Sequence, residues 1–511
     1  YYVSAKPHIG YGYTTVAADA LGRFRRLMND DVFFLTGTDE HGQKVEKASR
    51  DAGLSPQEFT DRLSGEFRSL WETLGIGYDD FIRTTEERHR EAVRSVWVEL
   101  ERAGLIRREK YEGWYCTPCE TFWPERELEG QPVDARVCPQ CRRPLEEIHE
   151  DNFFFAISRH RGWLISHIRR NPDFILPESR RNETLAFLEQ NELNDLCISR
   201  PKARLQWGIE SPLSSDHVTY VWFDALINYI SALGYPDRTS ERFRKYWPAS
   251  VHLIGKDILR PHTVYWPIML HALGLEPPRC VFAHGWWMVD ETKMSKSLGN
   301  VVNPVDVVKE YGVDAFRYFL LREVPFGQDG TYSDEAITLR YNVDLANDLG
   351  NLLHRTLSML DKYFGGVIKA RSAENADNPL RSAVKDLPTR MEAAMNRLQF
   401  SEALHELWQA VSAANKFIDA SAPWALHREG QTDKLAEVMV SVCEVLRIAA
   451  QAVWPFMPAS AGKIYRQLGL DSENIPDGSF TGCAWNYFVE DTQTRKDAPV
   501  FPRRDKITKG L

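Results

Sequence analysis

The spacing of hydrophobic and polar residues changes along this chain and divides it into regions. In residues 14–28 the apolar positions recur at helical spacing, and two more helical stretches follow near 56–74 and 86–103. Between the first two, residues 32–35 have the pattern of a buried strand that runs into a polar, glycine-containing loop. Helices that alternate with strands and loops predict a doubly wound α/β sheet.

The pattern changes twice further along the chain. Residues 105–150 are rich in Cys, Pro and turn residues, which indicates an inserted module. Alternating α/β character returns at 217–230 and 250–270. From about 340 to 470 strand patterns disappear and amphipathic helices are predicted, and 476–511 reads as an irregular polar tail.

Length and charge restrict the possible classes of protein. A chain of 511 residues is too long for one core, so two to four domains are expected. No apolar run reaches the ~18 residues of a membrane span, and no signal segment is visible. The chain starts without Met, so we expect a short segment to precede it. The net charge of −9 argues against a general nucleic-acid coat, although it allows a local basic surface.

Four of the eight cysteines form two tight pairs, Cys116-x-x-Cys119 and Cys138-x-x-Cys141. Two such pairs can supply the closed tetrahedral shell that zinc prefers in structural sites. A closed shell leaves no position for water, so catalysis by this metal is not expected. The alternative is four thiols without a metal. The cysteine pattern fits a reducing compartment better than a disulfide scaffold.

Two short stretches suggest phosphate chemistry. In "KMSKSLGN", Lys293 and Lys296 flank small residues, and such a loop can bring two ammonium groups onto nucleotide phosphates. Near the start, His8 and Gly10 stand where a strand could lead into a helix, whose N-terminus favours anions. The alternatives are an ordinary basic loop and a helix-capping turn.

Together, these features resemble the class I aminoacyl-tRNA synthetases, and within them the methionyl-tRNA synthetases. The resemblance runs from Tyr2 to about residue 470 and includes both signature stretches, the cysteine pairs and the helical last third. The first signature departs from the family's pattern, because Tyr11 stands where a second histidine is usual. A phenol can form a hydrogen bond but cannot become cationic.

The resemblance implies a role for particular residues. It assigns catalysis to His8, Lys293 and Lys296. It assigns ATP binding to His8, Gly10, Tyr11, Gly255, Asp257, Lys293, Ser295, Lys296 and Ser297, with Asp257 near the ribose. It assigns methionine binding to Tyr2, Asp39, Trp222, Ala225, Leu226, Tyr229, Ile258 and His262, with Asp39 on the α-ammonium. It assigns anticodon reading to Asn351, Arg355 and Trp424. From the pattern alone, the aromatic residues would be core and the polar ones solvated.

The implied architecture is a Rossmann-type catalytic domain with an inserted zinc-knuckle module, followed by a helical anticodon-binding bundle. The expected boundaries are 1–104 and 216–285 for the catalytic halves, 105–215 for the insertion, 286–340 for the KMSKS junction, 341–475 for the bundle and 476–511 for the tail. The implied protein is a cytoplasmic, monomeric methionine–tRNA ligase. Its implied partners are tRNA(Met), ATP and L-methionine, with one structural Zn²⁺, with Mg²⁺ bound to ATP and with no membrane.

Two alternatives stay open on sequence grounds. Ligases for leucine, valine or isoleucine carry a large editing insertion, for which the space between the signatures is too short, and the cysteine enzyme needs an open zinc position. A zinc-ribbon RNA-binding module without catalysis would explain the cysteines and the helical third. It would not explain His8, Asp39 and Lys296 together.

Overall fold

The structure is a computed structural model that describes residues 1–3, 7–117, 121–123, 125–139, 141–289, 292–293, 302–369, 378–476, 480–481, 485–488 and 490–504. The chain divides into two compact units. The first comprises Tyr1–Pro7, Leu35–Leu70 and Tyr78–His284, and the second comprises His8–Phe34, Trp71–Gly77 and Gly285–Leu511. Among the described helices, none has the length and apolar character needed to span a membrane.

The first unit contains parallel strands. Leu35–Thr38 pairs in parallel with Asp80–Arg83, and Tyr2 forms a parallel bridge with Asp39. A second parallel group has the order His252–Gly255, Val281–His284, Ile175–Leu176. Parallel neighbours need crossover connections, which helices supply here, so these strands have the α/β arrangement predicted from the sequence.

The inserted region is antiparallel. In the strand Ile106–Cys116, residues 106–115 pair with Glu146–Phe155, and Thr121–Trp123 and Leu196–Cys197 extend this sheet on either side. A separate three-stranded sheet follows, made of Ser199–Pro201, Glu210–Ser211 and Ser214–Thr219. The change from parallel to antiparallel pairing agrees with the change in sequence character near residue 105.

The second unit is mainly helical. Its helices are Ile9–Leu27, Pro304–Tyr311, Val313–Arg322, Asp334–Arg340, Tyr341–Gly350 (a wider π-helical turn), Asn351–Phe364, Pro379–Lys385, Leu387–Asn396, Phe400–Ser421, Pro423–Arg428, Thr432–Val453 and Pro458–Gln467. The other helices of eight or more residues are Gln43–Asp51, Pro56–Thr73, Glu87–Arg102, Arg161–Arg170 and Glu178–Gln190. The stretches predicted near 56–74 and 86–103 are therefore confirmed as helices.

A buried arginine fixes the first helix inside the second unit. Arg317 is fully buried and donates to the Asp19 carboxylate at 2.6 Å. Its other N–H groups donate to carbonyls of Leu74, Pro455 and Phe456. Burial alone would raise the pKa of Asp19, but the charges of Arg317 and Arg23 outweigh burial and lower it. The helix Ile9–Leu27 thus has a fixed position within this unit.

The prediction of a strand at residues 32–35 is wrong by three positions. The observed strand is Leu35–Thr38. Residues 32–34 are half-buried and outside the ladder. Gly37, which we read as a loop residue, lies inside the strand, and a Cβ there would stand 2.0 Å from the Ile82 carbonyl oxygen. The glycine permits close approach of two backbones rather than a turn.

Two other boundaries also differ from prediction. The first helix begins at Ile9 rather than at Thr14, because His8 caps it and Gly10 and Gly12 are tolerated within it. In the tail, Thr492–Gln493 pairs with Val367–Ile368, so the tail is not wholly irregular and the helical third contains a short strand. Two-residue strands carry no periodic signal, and sequence patterns cannot detect them.

Candidate active site

The first signature lies at the start of the helix Ile9–Leu27. The Gly10 N–H donates to Nδ1 of His8 at 3.1 Å, so His8 is the N-cap of the helix. A neutral imidazole that accepts through Nδ1 carries its proton on Nε2, which is then a hydrogen-bond donor. The Tyr11 ring stacks on the His8 ring with centroids 4.3 Å apart. Capping by His8 is therefore observed, and Nε2 of the same ring is a donor of the kind that phosphate accepts from.

The second signature is described only at its ends. Thr292–Lys293 forms a hairpin with Trp287–Val289, and beyond the signature the Val302 carbonyl accepts from the Ile9 N–H at 3.3 Å. Val302, which follows the signature, therefore lies beside the start of the first helix, within the same unit. Ser295, Lys296 and Ser297 lie outside the described residues, as does the side chain of Lys293.

In the first unit, an acidic loop follows the strand Leu35–Thr38. Asp39 is partly exposed, whereas Glu40 is fully buried. The Glu40 carboxylate accepts from Arg83 at 2.7 and 2.9 Å, from Thr38 at 2.7 Å and from Thr85 at 2.5 Å. Glu40 anchors the loop, and Asp39 next to it keeps a solvent-accessible carboxylate at the carboxyl end of a parallel strand, where α/β sheets bind ligands.

Tyr229 and His262 form a buried polar pair. The Tyr229 hydroxyl and His262 Nε2 are 2.9 Å apart, and His262 Nδ1 lies 2.9 Å from the Ile258 carbonyl. Burial lowers the pKa of His262 to about 4, so the ring is neutral near pH 7. A neutral ring that donates through Nδ1 to Ile258 must accept at Nε2 from Tyr229.

Several other residues predicted to bind methionine lie near this pair. The Trp222 ring meets the His262 ring edge-on with centroids 6.5 Å apart. Ala225 and Leu226 are buried on the same short helix, Val221–Leu226. The negative charge of Asp39 acts on both Tyr229 and His262. A carboxylate, two hydrogen-bonded polar rings and an indole therefore share one region of the first unit.

Gly255 and Asp257 stand at the carboxyl end of the strand His252–Gly255. A Cβ on Gly255 would lie 2.6 Å from Oδ1 of Asp257, so only glycine allows the carboxylate this position. Asp257 belongs to a short 3₁₀ turn, Lys256–Ile258, directly after the strand. This is the place in the fold where a ribose hydroxyl could be bound.

The cysteine cluster has the geometry of a metal site. The sulfurs of Cys116, Cys138 and Cys141 all lie within 4.8 Å of one another, and those of Cys116 and Cys141 are 3.5 Å apart. Tetrahedral zinc, with Zn–S of about 2.3 Å, would place its sulfurs ~3.8 Å apart. The three thiols therefore fit zinc. Cys119, the fourth predicted ligand, lies outside the described residues.

The anticodon candidates lie on two helices of the second unit that contact each other. Asn351 is exposed at the first residue of the helix Asn351–Phe364, and Arg355 one turn later donates to Asp419 at 2.8 Å. The Tyr363 ring stacks on His427, which joins this helix to Pro423–Arg428. Trp424 on the latter helix is 48% exposed, so the core reading of this tryptophan is wrong.

Sequence reasoning missed a buried cluster formed by His41, Asp224 and His89. His41 Nδ1 lies 2.6 Å from Asp224 Oδ2, and His89 Nε2 lies 2.6 Å from Asp224 Oδ1. Burial alone would raise the pKa of Asp224, but the two imidazoles outweigh it and lower the pKa to about 2. The only sequence signal was an aspartate inside the apolar run "VWFDAL".

Comparison with known families places these features in context. A model described as "tRNA synthetases class I (M)" matches residues 1–357, and one described as "Anticodon binding domain of methionyl tRNA ligase" matches residues 367–484. The chain therefore belongs to the class I aminoacyl-tRNA synthetases.

Within that class, the chain belongs with the methionine–tRNA ligases. The ligase of Caldanaerobacter subterraneus is 49% identical over 99% of this chain and 78% of its own length, and that of Bacillus subtilis is 44% identical over 98% and 76%. The Mycobacterium tuberculosis methionyl-tRNA synthetase in complex with methionyl-adenylate is 42% identical, has a TM-score of 0.93 and covers 98% of both chains. The predicted family and fold class are confirmed.

Proposed function

We propose that this enzyme activates L-methionine with ATP and transfers it to the 3′ end of tRNA(Met). The observation that carries this proposal is the region around Asp39, Tyr229 and His262, which combines an accessible carboxylate with a polar pair and an aromatic wall. A carboxylate suits the α-ammonium of an amino acid through a charge-assisted hydrogen bond. Trp222 and Tyr229 suit a thioether, because sulfur–aromatic contacts are favourable by ~0.3–1.5 kcal/mol.

In the first step, a methionine carboxylate oxygen attacks the α-phosphorus of ATP, and the bond to the leaving pyrophosphate breaks. The nucleophile is already ionised, so the protein contributes positioning and charge stabilisation rather than a base. We assign phosphate contacts to His8 Nε2, to the helix start at Gly10 and Tyr11, and to Lys293, Ser295, Lys296 and Ser297. Tyr11 contributes a neutral hydroxyl. Mg²⁺ bound to ATP supplies further positive charge.

The nucleoside of ATP is assigned to Gly255 and Asp257, whose carboxylate can accept from ribose hydroxyls. The amino-acid site is completed by Tyr2, Ala225, Leu226 and Ile258. In the second step, the terminal ribose hydroxyl of tRNA attacks the carbonyl of the mixed anhydride, and AMP leaves with the bonding electrons.

We assign one structural zinc to Cys116, Cys119, Cys138 and Cys141, supported by the three sulfurs that already converge. The cluster packs with Trp114, Trp123, Leu128 and Leu145, so the metal would hold the fold of the insertion. Metal analysis should give about one zinc per chain, and Cys138→Ser should lower that content. Full zinc retention in this variant would contradict the assignment.

We assign anticodon recognition to Asn351, Arg355 and Trp424, since unstacked RNA bases stack on aromatic faces and are read by polar side chains. The predicted domain boundaries, a monomeric state and action in the cytoplasm complete the proposal.

The direct test is methionine-dependent exchange of pyrophosphate into ATP without tRNA. We expect exchange with methionine, and much slower exchange after Lys296→Ala with little change in methionine affinity measured without ATP. Phosphate charge develops mainly in the transition state, so losing the lysine should reduce the rate. A protein that bound tRNA(Met) but catalysed no exchange would be a binding module, and one that preferred leucine would belong to another branch.

A further inference from the structure

The buried cluster of His41, Asp224 and His89 joins three elements that meet at the proposed methionine site. His41 lies two residues after Asp39 on the acidic loop, and Asp224 lies on the helix Val221–Leu226 with Trp222, Ala225 and Leu226. His89 belongs to the helix Glu87–Arg102. All three side chains are at most 2% exposed, so the solvent cannot replace any of these contacts.

Each hydrogen bond of the cluster uses a particular ring nitrogen of its histidine. The carboxylate is met at Oδ2 by the δ-nitrogen of His41 and at Oδ1 by the ε-nitrogen of His89, both at 2.6 Å. The remaining His89 nitrogen lies 3.0 Å from the Ser231 hydroxyl, which itself donates to the Asn228 carbonyl at 3.3 Å. In this geometry each imidazole reaches the carboxylate through one of its two nitrogens.

The surroundings of the loop explain why such a link is useful. The Glu40 carboxylate accepts from Arg83, so this bond fixes the middle of the loop to the strand Asp80–Arg83. It does not join the loop to the helix Val221–Leu226. The bond from His41 ties the loop to the helix carrying Trp222. The distance between the carboxylate for the ammonium group and the wall for the side chain therefore depends on Asp224.

We propose that His41, Asp224 and His89 are positioning residues that set the spacing between Asp39 and the helix Val221–Leu226, and thereby the affinity for methionine. None of the three needs to touch the substrate. The proposal rests on the proposed function, because it takes Asp39 and Trp222 as parts of the amino-acid site. Small displacements of groups that orient a substrate have large effects, of the order of 100-fold per ångström, so a loosened link should be measurable.

The test exchanges the position of the donor while keeping its chemistry. An asparagine places its amide N–H near the δ-nitrogen of histidine, and a glutamine places it near the ε-nitrogen. We expect His41→Asn and His89→Gln to keep a methionine KM within about two-fold of the parent in pyrophosphate exchange. We expect His41→Gln and His89→Asn to raise it by roughly ten-fold or more, with the KM for ATP unchanged.

A matched control separates positioning from general stability. Glu444→Gln changes another fully buried carboxylate, which accepts from Arg447 and from the backbone of Tyr487 and Phe488 in the helical unit. It should lower the melting temperature and leave the methionine KM unchanged. The proposal would be overturned if His41→Asn and His41→Gln had equal methionine KM values and His89→Asn and His89→Gln did as well. This would hold even if the variants had lower melting temperatures than the parent. A parent protein without methionine-dependent exchange would instead refute the proposed function.

Discussion

The proposed methionine site and the proposed anticodon surface are built in opposite ways. In the first unit, two of the assigned side chains, Tyr229 and His262, are buried or half-buried and bonded to each other. In the second unit, Trp424 is 48% exposed and Arg355 has an exposed partner, Asp419. A small ligand needs groups that are already in place, whereas an RNA base needs an open aromatic face. This difference predicts that substitutions in the methionine region will affect amino-acid activation, whereas substitutions on the anticodon surface will affect only transfer to tRNA.

The largest effect should follow Asp39→Asn. Removing one partner of a charge pair that becomes buried when the ligand binds costs about 2–5 kcal/mol, and about 4 kcal/mol corresponds to roughly a 1,000-fold loss in kcat/KM for methionine. Pyrophosphate exchange measures this loss. Asp51→Asn is the control, because Asp51 is an exposed acid of the same unit that pairs with Lys47. Equal rates of exchange by both variants would show that Asp39 does not bind methionine, and would contradict the proposed difference between the two sites.

The buried histidines of the methionine region should make the first unit sensitive to acid. Burial lowers the pKa of His262 to about 4 and, together with the charge of His262, lowers that of His252 to about 3. An unfolded histidine titrates near 6.5, so between about pH 6.5 and 4 the unfolded chain binds more protons. Stability should therefore fall as the pH decreases through this window, by about 3 kcal/mol for His262 alone.

Urea denaturation at several pH values measures this loss. The His252→Phe variant removes one titrating group and should flatten the dependence on pH, whatever its stability at pH 7. A slope parallel to that of the parent would contradict the account. The proposed anticodon triad of Asn351, Arg355 and Trp424 contains no histidine, so the buried imidazoles of the methionine region should make that region respond to acid first.

Sequence reasoning proposed individual residues but not the links between them. Asp39 and Trp222 were proposed because each lies in a short stretch that resembles the family, and the structure places both in one region of the first unit. The cluster around Asp224 was missed because its histidines lie 183 and 135 residues away along the chain, and no local pattern records such a contact. Gly37 was misread for a similar reason, since its role depends on Ile82 in a neighbouring strand.

The smallest effect is expected for Trp424→Ala, which tests whether the proposed anticodon surface acts only in the second step. Stacking of a base on an aromatic ring contributes roughly 1–3 kcal/mol, so tRNA aminoacylation should fall about ten-fold. Methionine-dependent exchange should stay at the parent value, because that step needs no tRNA. The melting temperature should also stay near the parent value, since nearly half of the side chain is exposed and little packing is lost.

Leu339→Ala is the matched control for Trp424→Ala, because Leu339 is an apolar residue of the same unit that is 63% exposed. It should change neither activity. If Trp424→Ala lowered exchange and aminoacylation equally, the tryptophan would support the fold rather than read RNA. If only aminoacylation fell, and if it fell more than with Leu339→Ala, the exposed ring would contribute to the second step alone. Such an effect would distinguish this surface from the proposed methionine site, where changes should affect the first step.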